Sequence, residues 1–182
     1  MDKYILCDND NIVLEHEDDT NNFTMSFRVK EQFNNIKDLF TENTFFHLIK
    51  ELNDDIIHEY TETILDDINT VVFKIQTPNE PTFRKSFDNY IFFNIKYNKY
   101  ITNENITLSG VQDISSSNIY TENNINFDNF NIMIQPINMN NNSYTNIILE
   151  FCIGNNIDGI MNKFVALYLK KLIKKVKLYF DT

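Results

Sequence analysis

The chain has 182 residues, 42% of them hydrophobic, and 16 Phe, enough to build one domain around a single core. Its net charge of −10 argues against general nucleic-acid binding, which needs Lys and Arg clustered against phosphate. The charge is uneven: from Asn155 onward six Lys face two Asp, so that segment carries +4 and the rest −14.

Asn, Ile, Asp and Lys are abundant, Gly and Pro number three each, Trp is absent, and Ala occurs once, at Ala166. This bias fits an AT-rich genome, such as that of a protist or a large DNA virus, and the Asn runs at Asn123-Asn124 and Asn140-Asn141-Asn142 read as drifted loops. Cys7 and Cys152 lie far apart, no charged-then-apolar leader precedes the body of the chain, and no apolar stretch approaches a membrane span. A reducing, cytoplasmic location is the expectation.

Tyr4 to Leu14 holds two short apolar runs around Asp8-Asn9-Asp10-Asn11, a strand or hairpin signal, and Glu15 to Asn22 reads as a charged loop. Phe23, Met25, Phe27 and Val29 then alternate as in a half-buried strand. The period changes next: Phe33, Ile36 and Phe40, then Phe45, Leu48, Ile49 and Leu52, repeat at helical spacing, so two short helices separated at Thr41-Glu42-Asn43 are expected.

Strand signals dominate from Ile56 to Ile153: His58–Leu65 (weaker), Thr70–Gln76, Tyr90–Tyr97, Ile101–Val111, Phe127–Ile137 and Asn146–Ile153. Short polar turns such as Asp66-Asp67 and Asn138 to Ser143 separate them, which favours an antiparallel meander. Gly154-Asn155-Asn156 leads into a long amphipathic helix ending near Phe180. Asn156 or Asp158 could cap its start, and Lys163, Lys170, Lys174 and Lys177 fall opposite its apolar residues. Those lysines suggest peripheral contact with anionic lipid head groups, against the plainer reading of a solvated face.

Signatures of catalysis are scarce. His16, His47 and His58 form no metal-ligand spacing with either cysteine, and His58-Glu59 is followed by no second His. No glycine-rich phosphate loop exists, and Ser109-Gly110 lacks the Gly that a nucleophile elbow places before its Ser. Asp8-x-Asp10 begins like a calcium loop, but Ile12 and Val13 stand where an oxygen ligand and a Gly belong. The acidic run Glu15 to Asp19 reads as a solvated loop before a cation site, and Pro78-x-x-Pro81 as turn geometry before a polyproline ligand. No catalytic residue, metal or cofactor is expected.

The order of strand, two short helices, antiparallel strands and closing helix resembles the helix-grip fold of the START lipid-transfer domains and their wider superfamily. Phe45 to Ile57 followed by Thr70–Pro78 is similar to the stretch where START domains run from the second helix into a strand ending in Pro. Thr82–Phe93 takes the place of their Pro-x-x-x-Arg-Asp strand start, although Arg84 is followed here by Lys85, and the segments from Phe130 to Tyr179 parallel their last strands and helix.

The resemblance implies one α+β domain over residues 1–182, a curved antiparallel sheet wrapped around the C-terminal helix. It implies an apolar cavity between them that binds, or transfers, a lipid or other apolar small molecule. Candidate lining residues are Phe73, Ile91, Phe93, Ile132, Ile134, Leu149 and Phe151, facing Ile160, Phe164 and Tyr168, with Arg84 as the polar group. The alternatives are a non-enzymatic interaction or structural protein with the same fold and a filled interior, and an enzyme pairing His47, His58 or Tyr168 with Glu62. Neither the ligand nor the oligomeric state follows from the sequence.

Overall fold

The computed structural model describes residues 2–79, 81, 87–111, 123–139, 142–154 and 159–182. The alternating segment Asn22–Val29 forms β3, with Phe23, Met25, Phe27 and Val29 buried on one face. Before it, β1 (Lys3–Asn9) and β2 (Ile12–Glu17) make a hairpin closed by Asp10 and Asn11, with φ of 57° and 55°. Two consecutive left-handed residues match the right-handed twist of paired strands, and short Asx side chains tolerate that conformation best after Gly.

The charged stretch expected to be a loop continues β2 as far as Glu17, and only residues 18–21 turn. The reason is His16, 5% exposed, whose ring lies 4.6 Å from that of Phe23 and whose nitrogens reach the Tyr4 hydroxyl (2.8 Å) and the Thr20 carbonyl (2.9 Å). A histidine with both ring nitrogens engaged can be buried at low cost, so the strand carries it inward.

The two short helices form as expected: α1 (Phe33–Thr41) buries Phe33, Ile36 and Phe40, and α2 (Phe45–Leu52) buries Phe45, Phe46 and Ile49. Asn43, at φ 57°, breaks the path between them. Six strands follow: β4 (Ile57–Leu65), β5 (Ile68–Gln76), β6 (Tyr90–Ile101), β7 (Ile106–Gly110), β8 (Asn124–Met139) and β9 (Asn142–Ile153). The expected strand from Ile101 splits, because Thr102 and Asn105 close a turn between β6 and β7 through mutual backbone and hydroxyl hydrogen bonds.

Among the described residues the sheet has nine strands in the order β1-β2-β3-β9-β8-β7-β6-β5-β4. Neighbours in this order pair antiparallel, and a short parallel pairing joins Phe92–Asn94 of β6 to Asn124–Asn126 of β8. A bulge in β8 between Asp128 and Asn131, with Asn129 at φ 51°, bends the sheet opposite Gly110. Gly110 is required there: a Cβ would lie 2.6 Å from the backbone nitrogen of Phe130.

The closing helix α3 (Gly159–Asp181) buries Met161, Val165, Leu169, Leu172, Ile173, Val176 and Phe180. It packs against α2 and against β2 and β3. Backbone and side chains fix its far end, where the Glu31 N–H donates to the Phe180 carbonyl (3.0 Å) and the Thr145 hydroxyl to the Glu31 carbonyl (2.8 Å). The expected caps Asn156 and Asp158 lie outside the described residues.

The lysine face differs from expectation. Lys170 and Lys177 are 5% and 6% exposed, and Lys174 pairs with Asp10 at 2.9 Å. The helical period puts these lysines opposite the core, but the β1–β2 hairpin edges up to that side and supplies Cys7, Asn9 and Asp10 as partners. Lys177 pairs with Asp181 one turn on, and Lys163 sits 5.5 Å from the Tyr4 ring.

Candidate ligand-binding site

The inner face of the sheet is apolar because each strand presents every second residue to it. Ile91, Phe93, Ile95 and Tyr97 from β6 face inward beside Val71, Phe73 and Ile75 from β5. Phe130, Ile132 and Ile134 from β8 and Ile147, Leu149 and Phe151 from β9 continue that surface toward β3.

Between this face, α2 and α3 lies an interior cavity of about 20 Å³. Four of the expected residues line it: Phe73, Phe93, Ile132 and Leu149. Ile91, Ile134 and Phe151 are buried on the same face without reaching it. Phe164 and Tyr168 are half-buried at the flank of the core, Ile160 is 67% exposed, and Arg84 lies outside the described residues. The helix is rotated from the expected setting, so that Leu169, Leu172 and Ile173 meet the cavity.

The sequence reading missed the contribution of α2. Phe45, Phe46 and Ile49 form the cavity's other wall; the helical spacing had marked Phe45 and Ile49 as a buried face, and Phe46 joins them. Phe45 stacks on Phe40 (4.2 Å between centroids), and Phe46 meets both Phe73 (6.2 Å) and Tyr97 (5.4 Å). These rings close the cavity on its helix side.

A polar cluster borders the aromatic wall. The Tyr60 and Tyr97 hydroxyls both donate to the Glu62 carboxylate, the second at 3.3 Å. Burial, with the neighbouring Glu62 charge, pushes both phenols well above the usual tyrosine range. Lys99, which donates to the Phe40 carbonyl at 2.8 Å, is pushed down by burial. Glu62 thus serves two tyrosines, whereas His47 pairs with Glu51 (3.2 Å), His58 faces Gln76 (3.4 Å) and Tyr168 donates to the Gln76 carbonyl (3.0 Å). No catalytic dyad with Glu62 is assembled from these groups.

Among the described residues, no three His, Cys, Asp or Glu side chains could hold a metal ion. Larger depressions open to solvent include two of about 610 Å³ and 790 Å³. The first runs over the outer face of the sheet, past Arg28 and Tyr144 to Lys177, and the second sits beside Thr77, Asp88 and Asn123. Neither enters the space beneath α3.

No sequence profile of a protein family matches the chain, and no curated protein does. Solved structures do. The chain is similar to the human StarD13 (DLC2) lipid transfer and protein localization domain at 11% identity, with 98% of this chain and 89% of that one covered and a TM-score of 0.63. It is similar to human StAR-related lipid transfer protein 5 at 10% identity, covering 97% and 87%, TM-score 0.59. It is likewise similar to a STAR-related lipid transfer protein from Xanthomonas axonopodis at 9% identity, covering 99% and 99%, TM-score 0.58. The chain has the α+β helix-grip fold of the START domains.

Proposed function

We propose that the protein binds a lipid or other apolar small molecule between its curved sheet and the closing helix, in a seat that side chains fill when no ligand is present. The observation that carries this reading is the cavity's lining: twelve residues from α2, α3 and four strands, all apolar, surround it. Its position is the concave side of the sheet beneath the last helix. A polar interior would exclude an acyl chain or ring system, whereas this one offers burial at about 25 cal/mol per Å². At about 20 Å³ the void holds no more than one water. Small-molecule pockets have roughly 300–1,000 Å³, so occupancy requires Phe46, Phe93 and their neighbours to swing aside and α3 to lift.

Native mass spectrometry of gently extracted protein tests this. A co-purifying species of lipid mass, lost on organic extraction, supports it, and a bare polypeptide that also fails to take up added fatty acid or sterol contradicts it.

The small volume favours one second reading, a non-enzymatic interaction protein that keeps the fold with its interior filled. It requires a stable oligomer or protein complex and an interior that no apolar probe enters. We assign no catalysis, because the histidines are engaged elsewhere and Glu62 is shared by two tyrosines. Membrane contact through Lys163, Lys170, Lys174 and Lys177 loses its basis, since two of the four are buried and a third is paired with Asp10. Among the described residues no helix is long and apolar enough to cross a membrane.

A further inference from the structure

The closing helix holds a buried cation that neither the core nor the ligand seat uses. Lys170 is 5% exposed, and its ammonium donates to Asn9 Oδ1 at 2.6 Å and to Cys7 Sγ at 3.1 Å. Among the described residues no carboxylate pairs with it: Asp10 is taken by Lys174 and Asp181 by Lys177. A buried charge is ordinarily matched by an opposite one. Here the nearest groups are a neutral amide and a thiol. Cys7 is half-buried on β1, an edge strand whose residues are otherwise mostly exposed, so a small oxidant can reach its sulfur.

We propose that Cys7 and Lys170 form an oxidant-sensitive clasp, in which peroxide turns their hydrogen bond into a covalent sulfur–nitrogen link between β1 and the closing helix. Hydrogen peroxide first oxidises the Cys7 thiol to a sulfenic acid and releases one water. The Lys170 nitrogen, having given one proton to solvent, then attacks the sulfur. The S–N bond forms, the S–O bond breaks, and the departing hydroxide takes a second proton from nitrogen to leave as water. Sulfur has lost two electrons and peroxide has gained them. The chemistry parallels the known condensation of a sulfenic acid with a backbone nitrogen, with a lysine amine held in place instead.

The test treats the full chain with hydrogen peroxide and follows intact mass and peptide maps. The clasp requires a loss of about 2 Da, a joined peptide pair containing Cys7 and Lys170, and restoration of the original mass by a thiol reductant. Cys152→Ser keeps the product, whereas Cys7→Ser and Lys170→Arg abolish it. Cys7 over-oxidised to sulfinic acid with the Lys170 peptide free would overturn the proposal, as would a 2 Da loss that persists in Lys170→Arg. The wild-type map decides between these outcomes even where a variant folds poorly.

Discussion

The side-chain amide of Asn53 donates to the main-chain carbonyl of Leu172 at 3.2 Å, fastening the end of α2 to the middle of the closing helix. The same nitrogen donates to the Ile49 carbonyl at 2.9 Å, and Asn53 is fully buried, with its side-chain oxygen unpartnered among the described residues. One residue thus links two walls of the cavity, because Ile49 and Leu172 both line it.

Asn53→Ala is expected to destabilise the fold by about 1–3 kcal/mol, the cost of orphaning buried acceptors. Asn53→Asp loses the donor and buries a carboxylate, so it is expected to be worse. Urea unfolding of the two variants against wild type measures both, and an Asp variant as stable as wild type would show that the amide donates nothing of consequence.

Phe93→Ala opens the interior at a residue 1% exposed that lines the cavity. The expected loss is about 3–5 kcal/mol, the range for large-to-small aromatic changes in a core. Binding of an apolar fluorescent probe should rise at the same time, because the lining around the new space is wholly apolar. A variant that loses stability without gaining the probe would mean that the walls collapse inward.

Tyr168→Phe removes a hydroxyl that fastens α3 to the end of β5 through the Gln76 carbonyl. If α3 must lift to admit a ligand, the variant favours the open form by about 0.5–1.5 kcal/mol, up to about tenfold in the opening equilibrium. Stopped-flow uptake of a fluorescent fatty acid should be faster, with little change in the overall spectrum of the protein. Unchanged uptake would place the route elsewhere.

Tyr60 and Tyr97 set an alkaline limit on stability. Burial and Glu62 raise both phenols above the value near 10 that tyrosine has in an unfolded chain. The native state therefore keeps protons that the unfolded state releases, so this stability is complete below about pH 10 and declines as pH rises beyond it. Unfolding followed across alkaline pH should be less steep in Tyr60→Phe. Glu62→Gln should lower the phenolate midpoints only in part, because burial is the largest single cause.

How far the sequence revealed this structure depends on which forces act locally. The alternation of Phe23 to Val29 and the helical spacing of Phe33 to Leu52 identified β3, α1 and α2, since period alone decides which face is buried. The order of elements then pointed to the helix-grip arrangement. Lys170 was misread because its burial depends on a hairpin more than 150 residues away in sequence, which no local period can place.

Ile160 shows a finer limit. It belongs to the same apolar run as Met161, yet it stands 67% exposed while Met161, the next residue of α3, is buried. Phe46 was not among the residues that the helical spacing marked as buried, and its role as a cavity wall exists only once α2 is folded against β5 and β6.

The most direct test of the central claim is native mass spectrometry of the intact protein before and after incubation with a fatty acid and with a sterol. The ligand-binding account requires a stoichiometric complex with at least one of them that Ile132→Phe, which fills the cavity, weakens. A protein that stays bare under every condition, with unchanged thermal stability, would contradict it and leave a helix-grip fold whose interior is filled by its own side chains.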